Sequence, residues 1–142
     1  MLLTIVVGNT NTVIGVFDGT RLVNHWRLTT EARRTADEYG LWIRQVLQWA
    51  GIPFEGIAAL AVSSVVPPMQ FSLEQMSRRY FGVAPLFVGP GVKTGMPILY
   101  DNPREVGADR VVNAVAAYEK HRGGLIVVDF GTATTFDAVT PK

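Results

Sequence analysis

Thr4-Ile5-Val6-Val7-Gly8-Asn9-Thr10-Asn11-Thr12 near the start of the chain and Val127-Val128-Asp129-Phe130-Gly131-Thr132-Ala133-Thr134-Thr135 near its end are two copies of one pattern. In each, an apolar strand runs into a glycine and a set of hydroxyl and amide side chains. A second strand follows, Val13-Ile14-Gly15-Val16 in the first copy and Phe136-Asp137-Ala138-Val139 in the second. Gly8 aligns with Gly131, Asn9 with Thr132, Asn11 with Thr134 and Thr12 with Thr135, whereas Val6 stands where the second copy has Asp129. Glycine lets the backbone approach a ligand closely, and successive N–H groups at a tight turn make a concavity suited to phosphate oxygens. A single such turn reads more readily as an ordinary hairpin connection. Two at corresponding places point to polyphosphate held between two related half-domains, and the acid missing from the first copy puts activity in question.

Working outward from the first copy, the sequence predicts strands over residues 2–7, 12–18 and 21–28, the last two joined by the tight-turn pair Asp18-Gly19. Thr35-Ala36-Asp37-Glu38 has the spacing of a capping box, and Tyr39, Trp42, Ile43, Val46 and Leu47 recur at helical intervals until Gly51-Ile52-Pro53. A helix is therefore expected over residues 36–50, with Trp42 and Trp49 in or half in the core. Ile57 to Ser63 is of strand length, Pro67-Pro68 opens a helix carrying Leu73, Met76 and Tyr80 that ends near Gly82, and Ala84 to Val88 gives another strand. Residues 89–106 read as a long loop of the kind kept for binding. A third helix starts near Gly107, with Val111, Val112, Val115 and Tyr118 on one face, and stops at Gly123-Gly124.

Three antiparallel strands, then alternating helices and parallel strands, then a strand that restarts the pattern: this is the layout of an α/β, ribonuclease H-like (actin-like ATPase) half-domain. Residues 1–123 read as that half-domain. Residues 124–142 read as the first hairpin of a second, truncated one, for which open strand edges and an unfilled cleft are expected.

At 142 residues and 48% hydrophobic, the chain has the material for a core, and a formal net charge of +1 supplies no field that would gather nucleic acid or an anionic membrane. The absence of cysteine excludes disulfides, thiolate metal sites and cysteine nucleophiles. The apolar opening breaks at Gly8, too short for a membrane span and without a basic leader, so a cytoplasmic protein is expected. No Gly-x-x-x-x-Gly-Lys loop and no Gly-x-Gly-x-x-Gly fingerprint occurs, and His25 and His121 lack partners at ligand spacing.

Asp129 follows a wholly apolar run, where a carboxylate is costly unless paired, coordinated or turned to a cleft. A cation or metal-bound water would satisfy it, and so would the role of a strand-end acid capping the next turn. Asp109 and Arg110 open the third helix directly after the long loop holding Tyr100, Asn102 and Arg104. An acid there is commonly no more than a favourable partner for the helix dipole. Delivered to a phosphate site, it would take a proton from a substrate hydroxyl while the guanidinium grips a carboxylate in a two-pronged contact.

Gly8-Asn9-Thr10-Asn11-Thr12, the Asp37-Glu38-Tyr39 helix start, Asn102-Pro103-Arg104-Glu105-Val106-Gly107-Ala108-Asp109-Arg110 and Asp129-Phe130-Gly131-Thr132-Ala133-Thr134-Thr135 together resemble type III pantothenate kinase, of the acetate and sugar kinase, Hsc70 and actin superfamily. The resemblance runs the length of the chain. It implies ATP-dependent phosphorylation of pantothenate, the first step of coenzyme A biosynthesis, with Mg²⁺ and a monovalent cation, K⁺ or NH₄⁺, in a homodimer. It assigns the catalytic base to Asp109 and pantothenate binding to Tyr100, Gly107, Ala108, Asp109 and Arg110. It also assigns the monovalent cation to Asp129, and ATP to Val7, Gly8, Asn9, Thr10, Asn11, Thr12, Val13 and Thr132.

Two departures stand against the family pattern: an aspartate is usual at the position of Val6, and the family's second half-domain is not represented. A kinase impaired on both counts is expected, because loss of one preorganised electrostatic group costs about 10²- to 10³-fold in rate. A non-catalytic binding or regulatory protein on the same fold, or a kinase acting on a different small molecule, are the competing readings.

Overall fold

The computed structural model describes residues 1–89 and 91–141; Pro90 of the expected loop and Lys142 of the expected second half-domain lie outside the described residues. Its contacts divide the chain into two compact units, Met1–Phe87 and Val88–Lys142.

In the first unit, alternation along β1 (Leu2–Val7) buries Leu3, Ile5 and Val7 on one face and leaves Thr4 and Val6 on the other. β2 (Asn11–Asp18) pairs antiparallel with β1, and β3 (Arg21–Thr29) antiparallel with β2. After α1 (Ala36–Trp49), the strand β4 (Ala59–Ser64) pairs parallel with β1, and β5 (Leu86–Val88) completes a five-stranded sheet in the order β3-β2-β1-β4-β5. The meander and the parallel return strand are those predicted, and the mixed sheet with its helices is an actin-like α/β arrangement.

α1 begins where the sequence signalled it. The Thr35 side chain accepts from Glu38 N at 3.2 Å, and the Glu38 carboxylate accepts from Thr35 N at 2.7 Å, so two orphan donors of the first turn are satisfied reciprocally. Tyr39, Ile43 and Leu47 then face the core. They are joined there by Ile14, Val16, Leu60 and Val62 of the sheet and by Leu73 and Met76 of α2 (Gln70–Met76). A 3₁₀ turn at Pro67–Met69 leads into α2, and a π-helical turn at Ser77–Phe81 leaves it; Gly82 stops it at φ 67°, a left-handed cap natural to glycine. Trp42 is half-buried, but Trp49 is 93% exposed, against expectation. It sits off the edge of the Tyr39–Ile43–Leu47 stripe on the last residue of α1, where the 3.6-residue period has carried it away from the core.

The second unit contains the loop, a 3₁₀ turn at Pro103–Glu105, α3 (Ala108–His121), and a two-stranded antiparallel sheet of β6 (Leu125–Phe130) and β7 (Thr134–Val139). α3 packs on this hairpin through Ala108, Val111 and Ala114, smaller side chains than the predicted Val111, Val112, Val115 and Tyr118, of which only Val111 is buried. Alternation sends Leu125, Val127, Asp129, Thr135, Asp137 and Val139 to the more buried face, whereas Ile126, Phe130 and Phe136 are exposed on the other. Among the described residues, no helix is long and apolar enough to cross a membrane.

Candidate functional site

The first glycine turn is locked from behind. Gly8 N donates to Asn11 O at 2.9 Å, and Thr30, just past β3, donates its hydroxyl to Gly8 O at 2.7 Å and its N–H to Thr10 O at 2.9 Å. Three carbonyl oxygens of the turn are thus engaged within the chain, while Asn9, Thr10 and Asn11 are exposed. A turn whose acceptors are consumed internally presents less lone-pair repulsion to an anion, so the geometry fits phosphate oxygens. Thr12 is fully buried, with Oγ1 2.9 Å from Thr30 Oγ1, which places it behind the turn and not at the exposed tip. Val7 is buried and Val13 half-buried.

Val6 lies on the face of the sheet opposite the helices, 36% exposed, with Val13 and Ser63 as its ladder neighbours. Ser63 Oγ is buried and has no hydrogen-bond partner among the described residues. Valine offers no oxygen to a cation, and no group of three or more His, Cys, Asp or Glu able to hold a metal occurs among the described residues. The described side chains therefore form no cage of their own for Mg²⁺, and such an ion would be carried by the phosphates of a bound nucleotide.

The second glycine turn differs in register. In the first hairpin Val7 pairs with Thr12 across a four-residue loop; in the second Phe130 pairs with Thr134 across a three-residue loop, closed by Gly131 N donating to Ala133 O at 3.0 Å. Thr135, the counterpart of Thr12 by sequence, therefore pairs with Asp129. Thr132 is exposed at the loop.

Two polar contacts tie α3 to the hairpin. Asn113 Nδ2 donates to Asp129 Oδ2 at 2.9 Å, and Arg110 reaches Asp137, its Nε lying 2.9 and 3.1 Å from Oδ1 and Oδ2 and its Nη2 also bonded to Oδ1. A neutral amide orients the Asp129 carboxylate without cancelling its charge. Beside it, Thr135 Oγ1 is buried without a hydrogen-bond partner among the described residues. A carboxylate with an idle hydroxyl oxygen next to it suits a hard cation, so this donor set fits K⁺ or NH₄⁺.

Asp109 and Asn113 are four residues apart on α3, hence on one side of it, which puts Asp109 a turn away from the group that holds Asp129. Asp109 Oδ1 accepts from Arg110 N at 2.9 Å. Gly107 is the N-cap residue of α3, and Ala108, its first residue, is buried. Tyr100 and Arg110 are brought together, with the guanidinium carbon 5.9 Å from the ring centroid, and both line one cavity of about 360 Å³ with Met96, Ile98, Val111 and Phe136. The two-pronged carboxylate contact expected of Arg110 is made by Asp137 of the same chain. Hydrogen bonding to Asp137 is the main cause that holds the guanidinium above its ordinary pKa.

Asn113, Asp137 and Thr30 were not marked by sequence reasoning. Asn113 carried a usable signal, its four-residue spacing from Asp109. Asp137 and Thr30 carried none, since the first depends on how α3 packs on the hairpin and the second on strand register.

The family profile described as type III pantothenate kinase matches residues 2–142. The type III pantothenate kinase of Myxococcus xanthus (strain DK1622) is 68% identical over 142 residues, which is 100% of this chain and 56% of the relative. That of Anaeromyxobacter sp. (strain Fw109-5) is 70% identical with the same coverage of 100% and 56%. That of Geobacter sulfurreducens (strain ATCC 51573 / DSM 12127 / PCA) is 62% identical, again over 100% of this chain and 56% of the relative. The chain spans about half the length of the curated relatives it matches.

Proposed function

The chain belongs to the type III pantothenate kinase family, and on that premise we propose that it serves the ATP-dependent phosphorylation of pantothenate to 4'-phosphopantothenate, the first step of coenzyme A biosynthesis. The observation that supports this reading is the cavity with both Tyr100 and Arg110 in its wall, adjoining the helix start that carries Asp109. Its apolar lining suits the aliphatic body of pantothenate, and its single arginine suits the carboxylate. Gly107, Ala108 and Arg110 hold pantothenate with Tyr100, and Asp109 accepts the proton of the hydroxyl that is phosphorylated. The turn from Val7 to Val13, together with Thr132, holds ATP, which when bound supplies the phosphoryl group. Asp129 holds the monovalent cation. Positioning and charge compensation do most of the work in such a transfer. We further propose that residues 1–123 form one half-domain with residues 124–142 opening a second, and that the active protein is a cytoplasmic homodimer using Mg²⁺.

Val6 supports a second reading, a protein that binds pantothenate without phosphorylating it. One assay separates the two: pantothenate phosphorylation by the full-length gene product with Val6 and with Val6→Asp, in Mg²⁺ and K⁺. Activity that appears or rises about 10²- to 10³-fold on Val6→Asp supports the kinase with position 6 in its phosphate site. Two folded, pantothenate-binding but inactive proteins favour the second reading.

A further inference from the structure

Arg110 occupies an unfavourable place for a cation. It is the third residue of α3, where the helix N-terminus already carries partial positive charge. Its side chain is only 25% exposed, and that of Asp137 only 18%. Apart from the Tyr100 phenol, these two are the only ionisable side chains among the described residues that line the cavity. The guanidinium is held by its Nε and Nη2 edge, and among the described residues Nη1 makes no hydrogen bond. The Tyr100 ring lies beside it, its centroid 5.9 Å from the guanidinium carbon. A guanidinium gripped on one edge beside an aromatic ring has few orientations left, and its free nitrogen is presented as a preset donor.

We propose that Asp137 is a positioning residue for the substrate site, holding Arg110 so that its unengaged N–H groups meet the carboxylate of an acid bound in the cavity. The proposal rests on the pantothenate reading above for the identity of that acid. Asp137 itself does not touch the acid. Its carboxylate lowers the net charge of the cavity to zero, so affinity for an anion comes from aimed hydrogen bonds and not from unscreened charge. Long side chains lose much rotamer freedom on binding, and prior restraint of Arg110 removes that cost from the binding step.

Two measurements on the full-length gene product test this. The first needs no ligand: the Nε–H resonance of Arg110 in isotope-labelled protein is expected to be resolved and slow to exchange. It should be lost to exchange broadening in Asp137→Ala and recovered in Asp137→Glu. The second is calorimetric binding of pantothenate and of its neutral alcohol analogue pantothenol. Asp137→Ala is expected to weaken pantothenate about tenfold or more while changing pantothenol little, with Asp137→Glu restoring part of the loss. An Arg110 resonance unchanged in Asp137→Ala overturns the proposal, as does equal weakening of both ligands or pantothenate binding that is unchanged or tighter. If the unsubstituted protein binds neither compound, the pantothenate reading falls, and the resonance alone decides whether Asp137 positions Arg110.

Discussion

Val6 and Ser63 lie side by side across the parallel ladder of β1 and β4, and the Ser63 hydroxyl, in a residue only 4% exposed, has no hydrogen-bond partner among the described residues. A buried hydroxyl without a partner is a cost that the fold carries for no local return. An acceptor at position 6 would remove it. Ser63→Ala alone is expected to change stability by less than about 0.5 kcal/mol or to raise it, whereas in the Val6→Asp background it should cost about 1–2 kcal/mol. A double-mutant cycle by urea unfolding measures the difference, and additivity would show that the two side chains do not interact.

Gly40 approaches the ring of Tyr80 so closely that an added Cβ would stand 2.6 Å from Cδ2. The ring cannot withdraw without stretching the hydrogen bond from its hydroxyl to Asp37 Oδ1, now 2.6 Å. Gly40→Ala should therefore destabilise by about 1–3 kcal/mol despite the better helix propensity of alanine. A gain in the urea midpoint would contradict this account of how α1 meets the segment after α2.

Burial pushes the Tyr39 phenol above its ordinary value of 10.0. The folded state thus favours the neutral form. Its contribution is whole below the unfolded value and is lost as pH rises through the folded one. Thermal midpoints followed from about pH 8 to about pH 11 should fall, and Tyr39→Phe should flatten that decline. An identical slope in the variant would assign the decline to other groups.

Asn113→Asp would set a second carboxylate against Asp129, now held by the Asn113 amide at 2.9 Å. One of the pair would then have a raised pKa. The variant should be less stable than the parent at neutral pH and recover as pH falls, because protonation relieves the repulsion. Asn113→Leu should lose stability without that recovery. Melting curves across the acid range distinguish the two.

Local signals carried well from sequence to structure. The Thr35/Glu38 capping box places the start of α1 to the residue, and Asp18-Gly19 joins the two strands expected of it. Periodicity was less informative at element ends, where Trp49, on the last residue of α1, falls off the buried stripe and is exposed. Tyr100 and Arg110 were marked by their place in a loop-to-helix segment, and one cavity receives both. The groups that engage the marked residues were harder to find. Asp137 meets Arg110 only because α3 packs on the hairpin, and Thr30 braces Gly8 only because strand pairing returns the chain beside the turn, bringing together positions 27 and 22 residues apart. No local pattern encodes such a pairing.

The two glycine turns share their letters but not their loop lengths, and this makes them non-interchangeable parts. Replacing Asn9-Thr10-Asn11 by the Thr-Ala-Thr of the second turn keeps the length of the chain. If the transplanted turn imposed its own three-residue closure, Val7 would pair one position earlier on β2. Side chains alternate with a period of two, so Ile14 and Val16, now wholly buried, would be turned outward and Val13 and Gly15 inward. The braces from Thr30 to Gly8 and Thr12 act as a keyway against that slip, one that admits the four-residue turn and refuses its shorter twin.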